Sequence, residues 1–167
     1  MEEKKNCCCE PNVFRRAIRK ILRTERMYQT VLDSRMTALN IHRTQRSILH
    51  EIGCEESRQN GKALSQKDIA ERFGISSAAV AMTLKKMEAQ GYIRRVMSET
   101  DNRYNELYLT DKGRKILAES GSIMEELDSI VYHGLTKEEV DAFLNVIYKM
   151  QENLMALPEL NGKPLKF

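Results

Sequence analysis

Residues 64–113, LSQKDIAERFGISSAAVAMTLKKMEAQGYIRRVMSETDNRYNELYLTDKG, hold two helix patterns joined by a glycine turn, then a polar turn between runs of alternating apolar residues. Ser65 is placed to cap the first helix, Asp68 three residues on favours the exposed N–H groups of its first turn, and Ile69, Ala70 and Phe73 form one apolar face. Gly74 ends this helix, because glycine adopts positive φ without a steric penalty. A second helix restarts at Ser76 or Ser77 and carries Val80, Leu84 and Met87 on one side until Gly91. A small residue at the crossing (Ala70), a glycine at the bend and a branched residue on the second helix (Val80) are what a helix-turn-helix requires; two ordinary core helices on a short loop would share this much. The next residues separate the two readings. Residues 92–97 (YIRRVM) read as a strand, 98–105 (SETDNRYN) as a polar turn and 107–109 as the returning strand, with Thr110 placed to cap a new helix. The expected fold is mainly α with a small β-hairpin wing: a winged helix-turn-helix over residues 64–113, a module built to read DNA.

The stretch resembles the MarR family of transcriptional regulators. The family's wing pattern, an acidic residue, any residue, Arg, then an apolar residue before x-L-T and a helix with an early glycine, stands here as Asp101, Arg103, Leu107, Leu109, Thr110 and Gly113. Leu84, Lys86, Met87, Glu88 and Gly91 match the end of its recognition helix, and Thr44 and Gln45 match the start of its second helix. The resemblance runs over roughly residues 13–155 and implies one domain over residues 1–167, with 1–12 as a flexible tail. One departure limits what it implies about sequence preference. Family members often carry Ser or Thr followed by Arg on the outer face of the recognition helix, where this chain has Ala81 and Met82.

The helical register points Ser76, Ser77, Ala78, Ala81, Met82 and Lys85 outward from the half of the helix that enters the major groove in such folds. Methyl groups meet thymine methyls and serines bond several base edges, so a tolerant readout is expected; the alternative is that Ala81 and Met82 pack against neighbouring protein. Arg94 and Arg95 on the strand into the wing are expected at phosphate, and Arg103 at the wing tip in the minor groove. The whole chain, with 27 Lys+Arg against 24 Asp+Glu, has a net charge of only +3, too little to argue for a polyanionic partner. Its placement is more informative, since residues 85–115 hold eight basic and five acidic residues, an excess as large as that of the whole chain.

Four further helices flank the reader. Residues 13–35 carry Phe14, Ile18, Ile21, Leu22, Tyr28 and Leu32 on one side and Arg15, Arg16, Arg19, Arg23 and Arg26 on the other, the basic face being solvated, paired between subunits or turned to phosphate. Arg43 opens a second pattern through Gln45, Ile48, Leu49 and Ile52. After the wing, Ile116, Leu117, Ile123, Met124, Leu127 and Ile130 mark a long helix, and Thr136 with Glu139 forms a capping box for a last one with Val140, Phe143, Leu144, Ile147 and Leu154 on its face. This is more apolar surface than one small winged domain covers, which implies a partner. The resemblance makes the terminal helices, 13–35 and 111–155, those of a homodimer that presents two recognition helices to a pseudo-palindromic operator in double-stranded DNA. It also implies a small aromatic or anionic effector, for which Tyr28, Met36, His42, Gln45 and Arg46 supply an apolar wall, donors and one cation; as ordinary core and surface residues they need no such role.

The four cysteines are Cys7, Cys8, Cys9 and Cys54. No CxxC pair occurs and adjacent cysteines lack the spacing of a structural zinc site, so no metal and no cofactor is expected; the triplet is either a redox sensor beside Lys4, Arg15 and Arg16 or a tail of reduced thiols. His42, His50 and His133 sit in no catalytic motif, and neither a phosphate loop nor a nucleophile elbow is present, so catalysis is not expected. No run of about 18 apolar residues and no signal-peptide core are found, and a cytoplasmic protein without membrane contact is expected. The reading is of a dimeric DNA-binding repressor released by a small molecule or by oxidation; a winged module that binds protein instead of DNA is the alternative.

Overall fold

The computed structural model describes residues 13–58, 63–98 and 104–160, so the cysteine triplet, Asp101 and Arg103 lie outside the described residues. The chain divides into two compact units, the first ending at His42 and the second beginning at Arg43. The first holds α1 (Val13–Ala38). Its end is closed by Asn40 at φ 54, a left-handed conformation that asparagine tolerates, and the Ile41 N–H turns back to the Met36 carbonyl at 3.2 Å. Leu32, Met36 and Ile41 are buried, whereas Phe14, Ile18 and Leu22, the expected apolar face of the helix's first half, are exposed.

The second unit runs α2 (Arg43–Ser57), β1 (Leu64–Ser65), α3 (Gln66–Phe73), α4 (Ser77–Ala89), β2 (Ile93–Met97), β3 (Asn105–Leu109), α5 (Asp111–Val131) and α6 (Lys137–Met155). Helix starts follow the side chains that satisfy their orphan N–H groups. Ser65 and Asp68 complete a reciprocal capping box on α3, Ser76 caps α4 by accepting from the Ala79 N–H, Thr110 accepts from the Gly113 N–H on α5, and Thr136 with Glu139 boxes α6. Gly74 at φ 57 stops α3 and lets the chain turn into α4. Gly113 answers a different need: a Cβ there would collide with the Tyr92 carbonyl oxygen, so the first turn of α5 approaches the start of β2 only without a side chain.

The sheet has three strands, not the two of a simple hairpin. Its order is β1-β3-β2, antiparallel throughout, with Leu64 opposite Leu107 and Arg95 opposite Leu107 on the other side. A two-residue strand has no periodicity for sequence to reveal, and Ser65 spends its side chain on capping α3 while its backbone extends the sheet. Burial in β3 alternates, with Leu107 and Leu109 inward, and the core gathers Ile48, Leu49, Ile52, Ile69, Val80, Leu84, Met87, Ile93 and these two leucines. α2 packs on α5 and β3, and three polar ties fix it. Glu56 accepts from the Leu109 N–H at 2.9 Å and from Arg114 at 2.6 Å, Arg72 of α3 reaches Glu51 and Glu55 at 2.8 and 3.0 Å, and buried Gln45 donates to the Gln90 side-chain oxygen at 2.8 Å.

Candidate nucleic-acid interface

α4 separates its residues cleanly. Val80, Leu84 and Met87 are 0% exposed, while Ser76, Ser77, Ala78 and Lys85 face solvent, Met82 is 76% exposed and Ala81 is half-buried. Met82 is therefore a surface methionine, and of the two packing alternatives only Ala81 is partly covered. Local bonds occupy the polar groups at this face: Ser76 caps the helix and Thr83 donates to the Ala79 carbonyl at 2.9 Å.

The wing side is built by register. Arg94 pairs across β2 and β3 with Tyr108, and its guanidinium lies 4.6 Å from the centre of that ring, while the Tyr108 hydroxyl donates to Glu106 at 2.7 Å. The neighbouring carboxylate holds the Tyr108 phenol above its ordinary pKa, chiefly through this hydrogen bond and secondarily through burial. Arg95 points to the other face, half-buried, with Nε 3.1 Å from a Glu88 carboxylate oxygen of α4; the pair is close enough to attract but not aligned as a hydrogen bond. Thus the two wing arginines differ: Arg94 is exposed and platformed on an aromatic ring, and Arg95 braces the wing against the recognition helix.

A cleft of about 300 Å³ adjoins Arg95, lined by Ser65, Gln66, Lys67, Ser77, Tyr104, Asn105 and Leu107. It brings the starts of α3 and α4 together with the wing, and Gln66 donates to the Ser77 carbonyl at 3.3 Å across it. Gln66, Lys67 and Tyr104 were not singled out from sequence. The available signal was the exposed Lys67 in the first turn of α3, 3.8 Å from Glu71 one helical turn on.

The other candidate set is placed less uniformly. Gln45 is buried and bonded to Gln90, Met36 is buried, Tyr28 is half-buried and His42 exposed. Arg46 lines a cleft of about 420 Å³ with Ser47, His50, Glu51, Arg72 and Phe73. Among the described residues no group of three or more His, Cys, Asp or Glu side chains is arranged to hold a metal ion, and no helix is long and apolar enough to cross a membrane.

With this geometry established, residues 39–103 match the MarR family. Over those residues the chain resembles the MarR family, and its fold is a winged helix-turn-helix. Its fold is shared with a variant of MepR from S. aureus (TM-score 0.67, 22% identity, 83% of this chain and 96% of that one) and with the PcaV transcriptional regulator from Streptomyces coelicolor (0.68, 19%, 83% and 97%). A mutant of MarR from E. coli, solved complexed with operator DNA, superposes at a TM-score of 0.65 with 19% identity over 79% of this chain and 91% of that one.

Proposed function

We propose that this chain is a homodimeric repressor that sets two α4 helices into successive major grooves of a pseudo-palindromic operator. The observation that carries the proposal is the division of α4, whose Val80, Leu84 and Met87 lock it to the core while Ser77, Ala78, Met82 and Lys85 stand free beside an arginine-bearing wing. Ser76, Ser77, Ala78, Ala81, Met82 and Lys85 read bases, Arg94 contacts phosphate, and Arg95 supports the wing and contributes to the local field. Arg103, outside the described residues, enters the minor groove. The exposed apolar faces of α1 and α6 supply the dimer surface, and occlusion of the promoter by the seated dimer accounts for repression in the cytoplasm. Release follows from a small aromatic or anionic effector, or from oxidation; Tyr28, Met36, His42, Gln45 and Arg46 are the effector residues that family likeness implies.

The test is a gel-shift titration across salt concentrations, with a duplex selected from genomic fragments and a random duplex. A DNA reader loses affinity steeply as salt rises and prefers the selected duplex, whereas a winged module that binds protein shows neither behaviour. Arg103→Ala is expected to weaken both duplexes alike and to flatten the salt slope by about one unit, with sequence preference kept. Wild-type affinity and slope in a folded Arg103→Ala protein would remove the wing tip from the mechanism. Arg46→Ala should weaken the response to an anionic effector and leave operator affinity nearly intact; equal loss of both makes Arg46 structural.

A further inference from the structure

A second cleft, of about 540 Å³, lies within the winged unit between α2, β3 and α5, away from α4. Its wall contains a thiol, an imidazole and two guanidinium groups: Cys54, His50, Arg58 and Arg114. Its floor is apolar, from Leu109, Leu117 and Ala118. Cys54 Sγ stands 3.6 Å from Nε2 and 3.8 Å from Nδ1 of His50, one helical turn away, and both side chains are open to solvent. Arg58 is paired with Glu55 at 2.9 Å and Arg114 with Glu56 at 2.6 Å, but each contact engages one terminal nitrogen of a guanidinium that has five N–H donors. The two pairings leave little net positive charge at the rim. The cleft therefore favours an uncharged molecule with one polar oxygen over an anion.

We propose that this cleft is a covalent sensor site for small α,β-unsaturated carbonyl compounds, with Cys54 as the nucleophile. The four parts needed for a conjugate addition are present together: a nucleophile, a base within reach of it, hydrogen-bond donors for a developing oxyanion, and an apolar bed for the carbon chain. Cys54 gives its proton to His50, and the sulfur electron pair forms a bond to the β-carbon. The C=C π pair shifts toward the carbonyl, whose oxygen takes up negative charge and accepts from Arg58 or Arg114. His50 then returns the proton to the α-carbon. Thiol and enone become one thioether, and the balance needs no oxidant.

The adduct acts on the wing through Glu56. That carboxylate holds Arg114 with one oxygen and the backbone N–H of Leu109, the last residue of β3, with the other. A carbon chain lodged on Leu109 and Leu117 displaces Arg114 and loosens the anchorage of β3, which lowers DNA affinity. This last step rests on the regulator reading; the covalent chemistry does not.

The experiment uses the full chain with Cys7, Cys8 and Cys9 changed to Ser, which leaves Cys54 as the single thiol of the four. Methyl vinyl ketone is the probe, and intact mass with peptide mapping follows the adduct. In the folded protein Cys54 is expected to react about tenfold faster than in urea, and His50→Gln is expected to remove that advantage. Ala118→Trp, which fills the cleft and leaves both the thiol and the imidazole in the chain, should also slow the reaction. Equal rates in folded and unfolded chains, or a rate untouched by His50→Gln in a folded protein, overturn the site. In gel shift with a selected duplex, the alkylated protein should lose at least about tenfold in affinity while Cys54→Ser binds normally and ignores the enone. Rapid alkylation without a change in affinity overturns the coupling to the wing. Failure of the unmodified protein to bind any duplex overturns the regulator reading and leaves the alkylation result standing.

Discussion

Met82 is the residue on which the reading of α4 turns. Its exposure places a flexible apolar side chain where MarR-family regulators often carry an arginine, so on the proposed reading its contribution to binding is van der Waals contact with thymine methyls and not a charge-assisted bond to guanine. Met82→Glu should abolish binding to the selected duplex with no loss of thermal stability, and Met82→Ala should cost about 1 kcal/mol of discrimination. Retained affinity in the Glu variant would turn this face away from DNA. Tyr108 gives a second test, read by alkali. Because its pKa is raised by the bond to Glu106, the stability it contributes is present below the ordinary phenol pKa of about 10 and is lost as pH rises through the raised value. The difference between phenolate absorbance titrations of wild type and Tyr108→Phe should show one phenol ionising above the ordinary range, and a difference centred at the ordinary value would mean the bond to Glu106 is not formed in solution. The inward triad of α4 was legible from its spacing, as was the outward Met82. The stacking of Arg94 on Tyr108 and the pairing of Arg95 with Glu88 were not, because both depend on strand register and interelement distance, which no local period encodes.

At the level of elements, the caps at Ser65, Ser76, Thr110 and Thr136 could be read directly, since each is a short-range demand of exposed N–H groups. The third strand could not, and neither could the ties that make α2 the hub of its unit. Of these ties the triad Glu51, Arg72 and Glu55 has a measurable signature. Arg72, by its hydrogen bond and then with the charge of Arg58, holds the Glu55 carboxyl below the usual carboxylate range. A depressed carboxyl contributes stability above its unfolded pKa and loses it as pH falls through the folded one. Glu55→Gln should therefore lower the melting temperature at neutral pH, and its deficit against wild type should shrink as pH falls below about 4. A deficit constant across that range would assign the loss to packing. Gly113→Ala should be harsher than an ordinary helix substitution, because alanine would normally favour a helix yet here meets the Tyr92 carbonyl; a loss of about 1–3 kcal/mol in denaturant titration is expected, and a gain would mean the α5 start moves freely.

For the whole molecule the decisive question is what covers the apolar side chains that neither unit buries. In the first unit Phe14 is 76% exposed, with Ile18, Leu22 and Met27 also open; in the second, α6 buries none of its residues and exposes Phe143, Leu144, Val146, Tyr148 and Leu154. The periods of these helices were plain in the sequence, but a period states which side is apolar and not which chain covers it. Exposed apolar faces on helices of both units call for a cover, and in the proposed homodimer a second copy, bringing the same helices under two-fold symmetry, supplies it. Phe143→Lys with Ile147→Lys should then give monomers or unfolded chains, since two ammonium groups would be desolvated in the interface without partners. Light scattering on wild type should return twice 19.3 kDa, and circular dichroism on the variant distinguishes a folded monomer from an unfolded chain. A folded monomeric variant should also lose most of its preference for the selected duplex, because one α4 reads one half-site and the affinity gained by joining two recognition helices disappears. A wild-type mass of a single chain would end the dimer, and with it the expectation of a pseudo-palindromic operator.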